Sequence, residues 1–383
     1  MFSDSIRLFS LDGFEIRLDK SWLLIVALIT WSLSQQYFPQ TFPDQTPGTY
    51  LAMGLFACIC FFGSLLLHEL AHSVVARRFG IRVKSITLFL FGGVAELASE
   101  PDRPRAEFWI AVAGPAMSLF LAFGFWVFAA FTDVMLTQSP IPVVLHYLAL
   151  INFILAVFNL VPAFPLDGGR ILRAALWHRT GDVLGATETA ARSGTFFAFL
   201  LMTLGVLFLF QGALLAGFWY ILIGGFVLMA ARSSYQKQLV QTVFDHKTVQ
   251  MLMTPDPVTT APDVTLDDFV NHVMIDRRAS FVPVVENGVL LGHMDHRVLE
   301  GTDRENWPGM RVDDIFEGLT AEASVAPDMP VRDLMALITK TGRRKFMVVD
   351  DHRLCGVITL SDIVRYLRVS DFLMHQQNQV TKK

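Results

Sequence analysis

Six apolar segments fill most of the first 231 residues, and they limit what this chain can fold into. They cover residues 22–38, 50–76, 108–131, 143–161, 193–210 and 213–231. An apolar run of about 18 residues or more lets a helix cross roughly 30 Å of hydrocarbon, because each residue adds about 1.5 Å. The sequence therefore predicts about six transmembrane helices, followed by a part of different composition.

Charged residues separate the chain into two parts near Arg232. They make up 27 of the first 231 residues and 39 of the last 152. The second part has the charge content of an ordinary soluble domain, which is about a quarter. We expect a polytopic α-helical membrane domain over 1–231, a linker over 232–247 and then a cytoplasmic α/β module. A net charge of −4 without a long run of Lys or Arg gives no electrostatic reason to expect nucleic acid as a partner.

The loops between the apolar segments differ in their basic residues. Lys and Arg lie before the first segment, between the second and third, and between the fourth and fifth, while the opposite loops contain none. Basic residues in short loops mark the cytoplasmic side of a membrane. We therefore expect a multi-pass protein of the cell (inner or plasma) membrane with both termini in the cytoplasm. In this orientation the second and fourth helices run in the same direction and end at the same depth.

The second apolar segment contains an H-E-x-x-H motif. His68 and His72 are four positions apart, so on a helix they share a face and can present two imidazoles to one zinc ion. Glu69 lies beside them, where it can accept a proton from a water that the ion activates. Ionisable groups at membrane depth are costly unless they line a cavity or bind a ligand. We interpret the motif as a catalytic zinc site; the alternative is a polar face that packs against another helix.

A catalytic zinc site needs a third protein ligand and one open position. Asp167 is the leading candidate, because it follows the fourth segment at the predicted depth of the two histidines. Pro162 and Pro165 are expected to end that helix and to leave Asp167 on unwound chain. The alternative is that Asp167 caps a helix over 170–176. His146, the other histidine in the segments, is assigned to packing near the outer surface.

These residues resemble those of the site-2 proteases, the intramembrane zinc metalloproteases of regulated intramembrane proteolysis. The resemblance rests on H-E-x-x-H in the second of six segments and on N-x-x-P-x-x-P-x-D-G at the end of the fourth, and it covers about residues 1–231. It implies a transmembrane protein as substrate, within the lipid bilayer, and one zinc ion per chain. The roles that it implies are zinc ligand for His68, His72 and Asp167, general base for Glu69, and substrate or oxyanion helper for Asn159.

The third segment carries another pattern of this family, a glycine followed four positions later by a small or polar residue. Here these residues are Gly114 and Ser118. Gly114 predicts a close contact between two helices. Some members have asparagine at the second position, so the resemblance does not assign Ser118 a catalytic role.

Residues 83–90 are rich in β-branched and aromatic side chains and predict a strand, which Phe91, Gly92 and Gly93 follow. One interpretation is a short loop on the surface. The other is an edge strand or re-entrant loop beside the zinc, to which an unwound substrate segment pairs by strand addition. The family resemblance favours the second interpretation.

After Arg232 the chain contains an internal repeat. Ala-Pro-Asp at 261–263 recurs at 326–328, and Val-Val at 284–285 recurs at 348–349, with offsets of 65 and 64. Each copy has the pattern helix, strand, turn, strand, helix, so we expect two similar units packed as a pseudo-dimer. The repeats resemble a tandem pair of CBS domains. The predicted bounds are 248–305 for the first repeat, 306–370 for the second and 371–383 for a polar tail.

The resemblance to CBS domains implies an adenine nucleotide as a ligand. Thr359 and Asp362 match the family's G-x-x-T-x-x-D pattern for ribose and phosphate contacts, whereas the first copy has Asp295 and Val298 at these positions. One site is therefore expected to be lost. The structural alternative is that Asp362 caps the last helix. His293 is interpreted as a surface residue, because no Cys or third His has matching ligand spacing.

The leading hypothesis is an intramembrane zinc metalloendopeptidase that cleaves a peptide bond in or near a transmembrane segment of a membrane protein, modulated by the CBS pair. One alternative is a CBS-regulated membrane transporter or channel whose ion path is lined by the H-E-x-x-H residues. Another is a zinc-binding scaffold without catalysis, against which the intact Glu69 argues. Because CBS pairs often dimerise, a homodimer through the cytoplasmic part is a further expectation.

Overall fold

The structure, a computed structural model, describes residues 5–11, 13–89, 92–136 and 139–380. Side chains are described for these residues except 11 and 374–380. The chain divides into two compact units after Gln236, close to the change in charge content near Arg232.

Helices make up most of the first unit. They are α1 (Ser21–Ser32), α2 (Phe38–Thr41), α3 (Pro47–Arg78), α4 (Pro104–Met135), α5 (Pro140–Asn159), α6 (Asp167–Thr180), α7 (Val183–Phe210) and α8 (Leu214–Val243). Among the described residues, α3, α4, α5, α7 and α8 are the five helices long and apolar enough to cross a membrane. Five of the six predicted segments are thereby confirmed as helices of spanning length.

The first predicted segment, 22–38, takes a less regular form. Its α-helix α1 has 12 residues and passes into a π-helix at Leu33–Tyr37 before α2 begins. The amide of Phe38 donates to the carbonyl of Leu33, five residues back, and the next residue is Pro39, which has no N–H to continue an α-helical ladder. The count of about six membrane helices therefore stays a prediction.

The long helices carry apolar side chains on their outer as well as their inner faces. In α4, Ile110 and Ala111 are buried, while Phe120 and Phe128 are 69% and 64% exposed. A water-soluble protein rarely exposes so much contiguous apolar surface, whereas lipid tails are as apolar as these rings. The outward faces are those expected of helices in a lipid bilayer.

A four-stranded sheet packs against α3. Its strands are β1 (Ile6–Leu11), β2 (Phe14–Leu18), β3 (Val83–Phe89) and β4 (Gly92–Leu97), in that order. β2 and β3 are parallel, and the other pairs are antiparallel. Buried Ile16 and Ile86 pack with Leu70 of α3. The predicted strand at 83–90 is confirmed as far as residue 89, and residues 90 and 91 lie outside the described part of the chain.

The chain between α5 and α6 is a compact turn held against α7. Two prolines lie in this turn, and α5 ends before them as predicted. The amide of Phe164 donates to the carbonyl of Ala190 in α7 at 3.2 Å, and the hydroxyl of Ser193 donates to the carbonyl of Pro162. α7 therefore supports the turn from which α6 starts.

The second unit is α/β, as predicted. Its strands are β5 (Thr254–Pro255), β6 (Phe281–Glu286), β7 (Val289–Asp295), β8 (Glu317–Gly318), β9 (Ser324–Val325), β10 (Lys345–Asp350) and β11 (Arg353–Thr359). Its helices are α9 (Val249–Leu252), α10 (Leu266–Asp268), α11 (His296–Leu299), α12 (Val331–Thr341) and α13 (Leu360–Val380). A π-helix follows α10 at Phe269–Ile275. The strands form two sheets, β6-β7-β8 and β5-β11-β10-β9.

Two matching hairpins make the internal repeat visible. β6 and β7 recur as β10 and β11, 64 residues later, and each pair has a register shift at the same place, after Val284 and after Val348. The turn residues 287–288 and 351–352 all have positive φ, as a two-residue type I′ turn requires. The predicted order of helix, strand, turn, strand and helix is confirmed, although α11 has only four residues.

Short segments at the ends of the repeats pair across them. β5, at the start of the first repeat, pairs with β11 of the second, and β8, beyond residue 305, pairs with β7 of the first. The predicted bounds of the two repeats follow the period of the sequence, whereas in the structure each repeat contributes one short strand to the sheet of the other. α13 continues through 371–380 of the predicted tail, and residues 381–383 lie outside the described part.

Candidate metal centre

His68 and His72 lie one turn apart on the inner face of α3. Both are buried, at 3% and 6% exposure, and their Nε2 atoms are 3.1 Å apart. The α-helix brings positions i and i+4 to the same face. The local sequence alone therefore accounts for this pair.

Asp167 lies 99 positions after His68 in the chain, and its side chain meets the two histidines. Its Oδ2 atom lies 3.2 Å from the Nε2 atom of each histidine, and its side chain is buried. Leu166 holds the N-cap position of α6 without a side-chain hydrogen bond, so the alternative in which Asp167 is the cap is not observed.

Asp167 is the first residue of α6, so the expectation that it lies on unwound chain is wrong. The reason lies in Gly168 and Gly169, which follow it. A Cβ atom at either glycine would overlap the backbone of the preceding turn, at 160–161 and 163–164 respectively. The glycines therefore let the first turn of α6 pack directly on that turn, and the helix begins at the ligand itself.

The second ring nitrogen of each histidine has a partner on α4. Nδ1 of His72 lies 2.6 Å from the carbonyl oxygen of Ile110, and Nδ1 of His68 lies 2.8 Å from Oγ of Ser118. A carbonyl only accepts hydrogen bonds, so Nδ1 of His72 donates and its Nε2 carries a lone pair in the neutral ring. The hydroxyl of Ser118 can accept from His68 in the same way. Such partners orient metal-binding histidines, and the sequence had not assigned this role to Ser118.

When both Nδ1 atoms carry the ring proton, three acceptor atoms face one another, 3.1–3.2 Å apart: two imidazole nitrogens and one carboxylate oxygen. No proton then lies between these three atoms, and a cation can accept a lone pair from each of them. Tetrahedral zinc with bonds of about 2.0–2.1 Å spaces its ligands about 3.3 Å apart. Within the described residues, this is the one cluster of three or more potential metal ligands. Its ligand types, number and spacing fit zinc.

Two glycines bring other chain segments close to this group. A Cβ atom at Gly93 of β4 would lie 2.6 Å from Cγ of Glu69, so the hairpin of β3 and β4 covers the Glu69 side chain. A Cβ atom at Gly114 of α4 would overlap the rings of His68 and His72. The close helix contact predicted at Gly114 is confirmed, and its partner is the histidine pair.

Other predicted polar residues lie apart from the ligand group. Asn159 ends α5 and is half-buried, and no hydrogen bond of its side chain occurs in the described part of the chain. Asn152, two turns earlier, is fully buried and donates to Oγ of Ser64 at 3.3 Å. His146 is half-exposed and pairs with Asp133 of α4 at 2.8 Å. The role of Asn159 therefore stays a prediction.

In the second unit, Thr359 and Asp362 hydrogen-bond to each other at the start of α13. Oγ1 of Thr359 donates to Oδ2 of Asp362 at 2.7 Å, and the amide of Asp362 donates to Oγ1 of Thr359 at 3.3 Å. This reciprocal arrangement caps the helix. The structural alternative is therefore observed, and a nucleotide contact at these residues stays a prediction.

His293 is 2% exposed, so its interpretation as a surface residue is wrong. It lies in β7, the central strand between β6 and β8. Its ring packs 4.7 Å from that of Phe281, and Nε2 lies 3.5 Å from a carboxylate oxygen of Glu317. Burial lowers the pKa of His293, although the Glu317 carboxylate opposes this shift.

Comparison with known proteins shows which family the chain belongs to. Rip3 of Mycobacterium tuberculosis, named as a zinc metalloprotease, is 36% identical over 96% of this chain and 93% of its own length. A Synechocystis protein, also named as a zinc metalloprotease, is 32% identical over 96% of this chain and 97% of its own. The chain belongs to peptidase family M50, the site-2 proteases.

The M50 family model matches residues 56–141 and 133–203, which include the whole ligand group. A solved M50 structure, the site-2 protease from Methanocaldococcus jannaschii, is 31% identical, covers 60% of this chain and 95% of its own, and has a TM-score of 0.43. The CBS domain model matches residues 249–293 and 312–369. Membership of the M50 family and the presence of CBS domains are thereby confirmed.

Proposed function

We propose that this M50 protein is an intramembrane zinc endopeptidase that hydrolyses a peptide bond in or near a transmembrane segment of a membrane protein. The observation that carries the proposal is the triangle of His68 Nε2, His72 Nε2 and Asp167 Oδ2, with sides of 3.1–3.2 Å, beside Glu69. The triangle lies among helices of spanning length and apolar surface. The two relatives named as zinc metalloproteases support the same activity.

The residues of the group have distinct tasks in this proposal. His68, His72 and Asp167 would hold zinc, which supplies Lewis-acid chemistry and a water of lowered pKa when bound. Glu69 accepts a proton as the general base and returns it to the leaving amine. The hydroxyl of Ser118 and a backbone carbonyl, both on α4, hold the rings in the tautomer that presents Nε2 to the ion.

The sheet offers a place for the substrate. A transmembrane helix satisfies its own peptide groups, so a segment that unwinds for cleavage needs new hydrogen-bond partners. β4 lies at the end of the sheet order, and its Gly93 lies against Glu69. We infer that the unwound segment adds to β4 as a further strand and so reaches Glu69. Asn159, at the end of α5, is the proposed substrate or oxyanion helper.

We infer that the first predicted segment, 22–38, is a sixth membrane-embedded helix and that both termini are cytoplasmic. Leu23 and Leu24 of α1 are apolar and more than 60% exposed, which supports contact with lipid. The distribution of basic loops supports the orientation. Single cysteines introduced at Gln45 and at Arg179, in a chain whose three native cysteines are replaced by serine, test it. An impermeant thiol reagent should reach the first from outside the cell and the second only after lysis.

The decisive experiment compares the purified parent with Glu69→Gln, for zinc content and for cleavage of a membrane-helix substrate. Glu188→Gln, the same change on α7, is the matched control. We expect about one zinc per chain in all three proteins, because Glu69 is not among the proposed ligands. Cleavage should be lost only in Glu69→Gln.

The other outcomes separate the competing functions. If Glu69→Gln cleaves the substrate as fast as the parent does, Glu69 is not the general base. If the folded parent contains no zinc, the proposed zinc peptidase activity is refuted. Stoichiometric zinc without cleavage by the parent would favour a scaffold, and ion flux through vesicles that depends on His68 would favour a transporter or channel.

We also propose that the CBS pair binds an adenine nucleotide at Thr359 and Asp362 and thereby adjusts cleavage. The support is the match of these residues to the CBS pattern and their position at the N-terminus of a long helix, which favours a phosphate. Calorimetry of the full chain with ATP and with AMP should show binding that Thr359→Ala weakens. A flat titration would reduce both residues to helix capping.

We propose a homodimer through the cytoplasmic unit. Phe372 and Leu373 of α13 are 60% and 54% exposed, which supports an apolar surface for a second copy. Sedimentation in detergent should give the protein mass of two chains. Replacement of both residues by serine should give the mass of one.

A further inference from the structure

A buried ion pair links α4 to α6. Glu107 and Arg173 are 0% and 6% exposed, and Nε of Arg173 donates to Oε1 of Glu107 at 2.6 Å. A second guanidinium nitrogen contacts the same carboxylate oxygen. Glu107 lies in the first turn of α4, and Arg173 lies midway along α6. Two long charged side chains are thus withdrawn from water at one point between two helices.

Both partners lie close to the residues that hold the metal ligands. Arg173 follows Asp167 by six positions on α6, and its guanidinium carbon lies 5.1 Å from the ring centre of Phe164, just before α6. Glu107 lies one turn before the carbonyl that accepts from Nδ1 of His72. The pair therefore ties the helix that carries the third ligand to the helix that orients the first two.

The three ligands differ in how much tertiary support they need. His68 and His72 share α3, so the helix itself sets their spacing. Asp167 comes from a separate helix, and its Oδ2 atom must stay 3.2 Å from both nitrogens. α4 contacts both histidines through their Nδ1 atoms, and it reaches α6 through Glu107. One helix thus acts as the common frame of the site.

Stability does not explain this ion pair. A buried ion pair gains little over apolar side chains of similar volume, because both charges lose their hydration. Oε2 of Glu107 is moreover buried without a hydrogen-bond partner among the described residues. What the pair adds is position, since two guanidinium nitrogens held on one carboxylate oxygen fix the distance between α4 and α6 at this point.

We propose that Glu107 and Arg173 are positioning residues of the metal site. Their ion pair holds α6 against α4 and so keeps Asp167 at the distance that zinc requires. Neither residue belongs to the ligand group, so both act through Asp167. The inference rests on the proposed zinc function.

The test measures zinc affinity of the full chain in detergent, by competition with a chelator, for the parent, Glu107→Gln and Arg173→Lys. We expect each variant to bind zinc about tenfold more weakly, the lower end of the range for loss of an outer partner of a metal ligand, because both residues act through the helices that hold the ligands. The visible absorption of the cobalt-loaded protein should also change, because cobalt reports the geometry of its ligands.

Two further variants separate positioning from stability. Glu107→Met combined with Arg173→Met replaces the pair by apolar side chains, so folding should be preserved while zinc affinity stays low. Leu148→Ala opens a cavity in a separate core cluster with Val144 and Phe38, so it should lower the melting temperature without weakening zinc binding.

The outcomes are distinguishable. If the folded parent binds no zinc, the proposed function fails, and this inference fails with it. If the parent binds zinc and a folded variant without the ion pair binds it equally well, with an unchanged cobalt spectrum, only the positioning role is overturned. If the single variants do not fold, the double methionine variant gives the answer.

Discussion

One methyl group added at Gly114 should weaken zinc binding severely, although alanine suits a helix better than glycine does. A Cβ atom at this position would lie 2.5 Å from Nε2 of His68 and would also overlap the ring of His72. Ordinary contacts of a carbon atom are about 3.5 Å or longer, so the ring of His68 would have to retreat by about 1 Å.

The rings have little freedom to retreat. Their Nδ1 atoms are held on α4 itself, by Ser118 and by the carbonyl of Ile110. Metal–ligand distances tolerate deviations of about 0.2 Å, so a retreat of about 1 Å takes a nitrogen out of bonding range. Loss of an outer partner weakens metal binding about 10- to 100-fold, and displacement of two ligands should exceed that range. We expect Gly114→Ala to bind zinc at least about 100-fold more weakly than the parent.

Gly124→Ala is the matched control on the same helix. A Cβ atom at Gly124 meets nothing within 4 Å, so both substitutions gain the same preference of alanine for a helix, up to about 1 kcal/mol. Zinc affinity from chelator competition, zinc content and cleavage should match the parent in Gly124→Ala. Parental zinc affinity in a folded Gly114→Ala protein would refute the close approach of Gly114 to the ligand nitrogens.

Three further outcomes are expected. Ser118→Ala removes the acceptor for Nδ1 of His68 and should lower zinc affinity about tenfold, whereas unchanged affinity would show that the ring needs no such partner. Gly93→Ala places a methyl group 2.6 Å from Cγ of Glu69 and should lower the rate of cleavage without loss of zinc; lost zinc would mean that the hairpin supports the ligands instead. Because burial lowers the pKa of His293, the unfolded chain binds this proton first as the pH falls below about 6.5. The contribution of the neutral His293 ring to the free energy of unfolding is therefore complete above that pH and declines on acidification. Hence His293→Val should flatten the fall in melting temperature of the second unit between about pH 7.5 and about pH 5.5. An equally steep fall in His293→Val would assign the effect to other groups.

The predictions that held depend on neighbours in the chain. H-E-x-x-H gives two histidines on one face because the α-helix has a period of 3.6 residues, and this requires no knowledge of other segments. The two prolines after α5 end that helix for an equally local reason. The hairpins of the second unit follow from alternation and turn residues, so their offset of 64 is readable in the sequence.

The predictions that were wrong depend on what packs around a residue. His293 has the same chemistry on a surface or in a core, and only the packing of the folded unit around its ring, which includes Phe281, decides that it is buried. Asp167 begins a helix because two glycines allow backbone to pack on backbone, a contact that sequence spacing does not specify. The first predicted segment is a different case: it is long and apolar enough to cross a membrane, the structure adds that a π-helix interrupts it, and its span stays a prediction.

The sequence by itself determined the division into a membrane part and a charged α/β part, the pair His68 and His72 with Glu69 between them, and the repeat. Only the tertiary structure decided that Asp167 reaches that pair, that Ser118 and a backbone carbonyl orient its rings, and that Gly114 leaves room for them. The physical reason is range. Helical periodicity acts over one turn and sets the two histidines, whereas this metal site also needs a third atom from a distant segment within about 3.3 Å of both, which only the packing of whole helices can arrange.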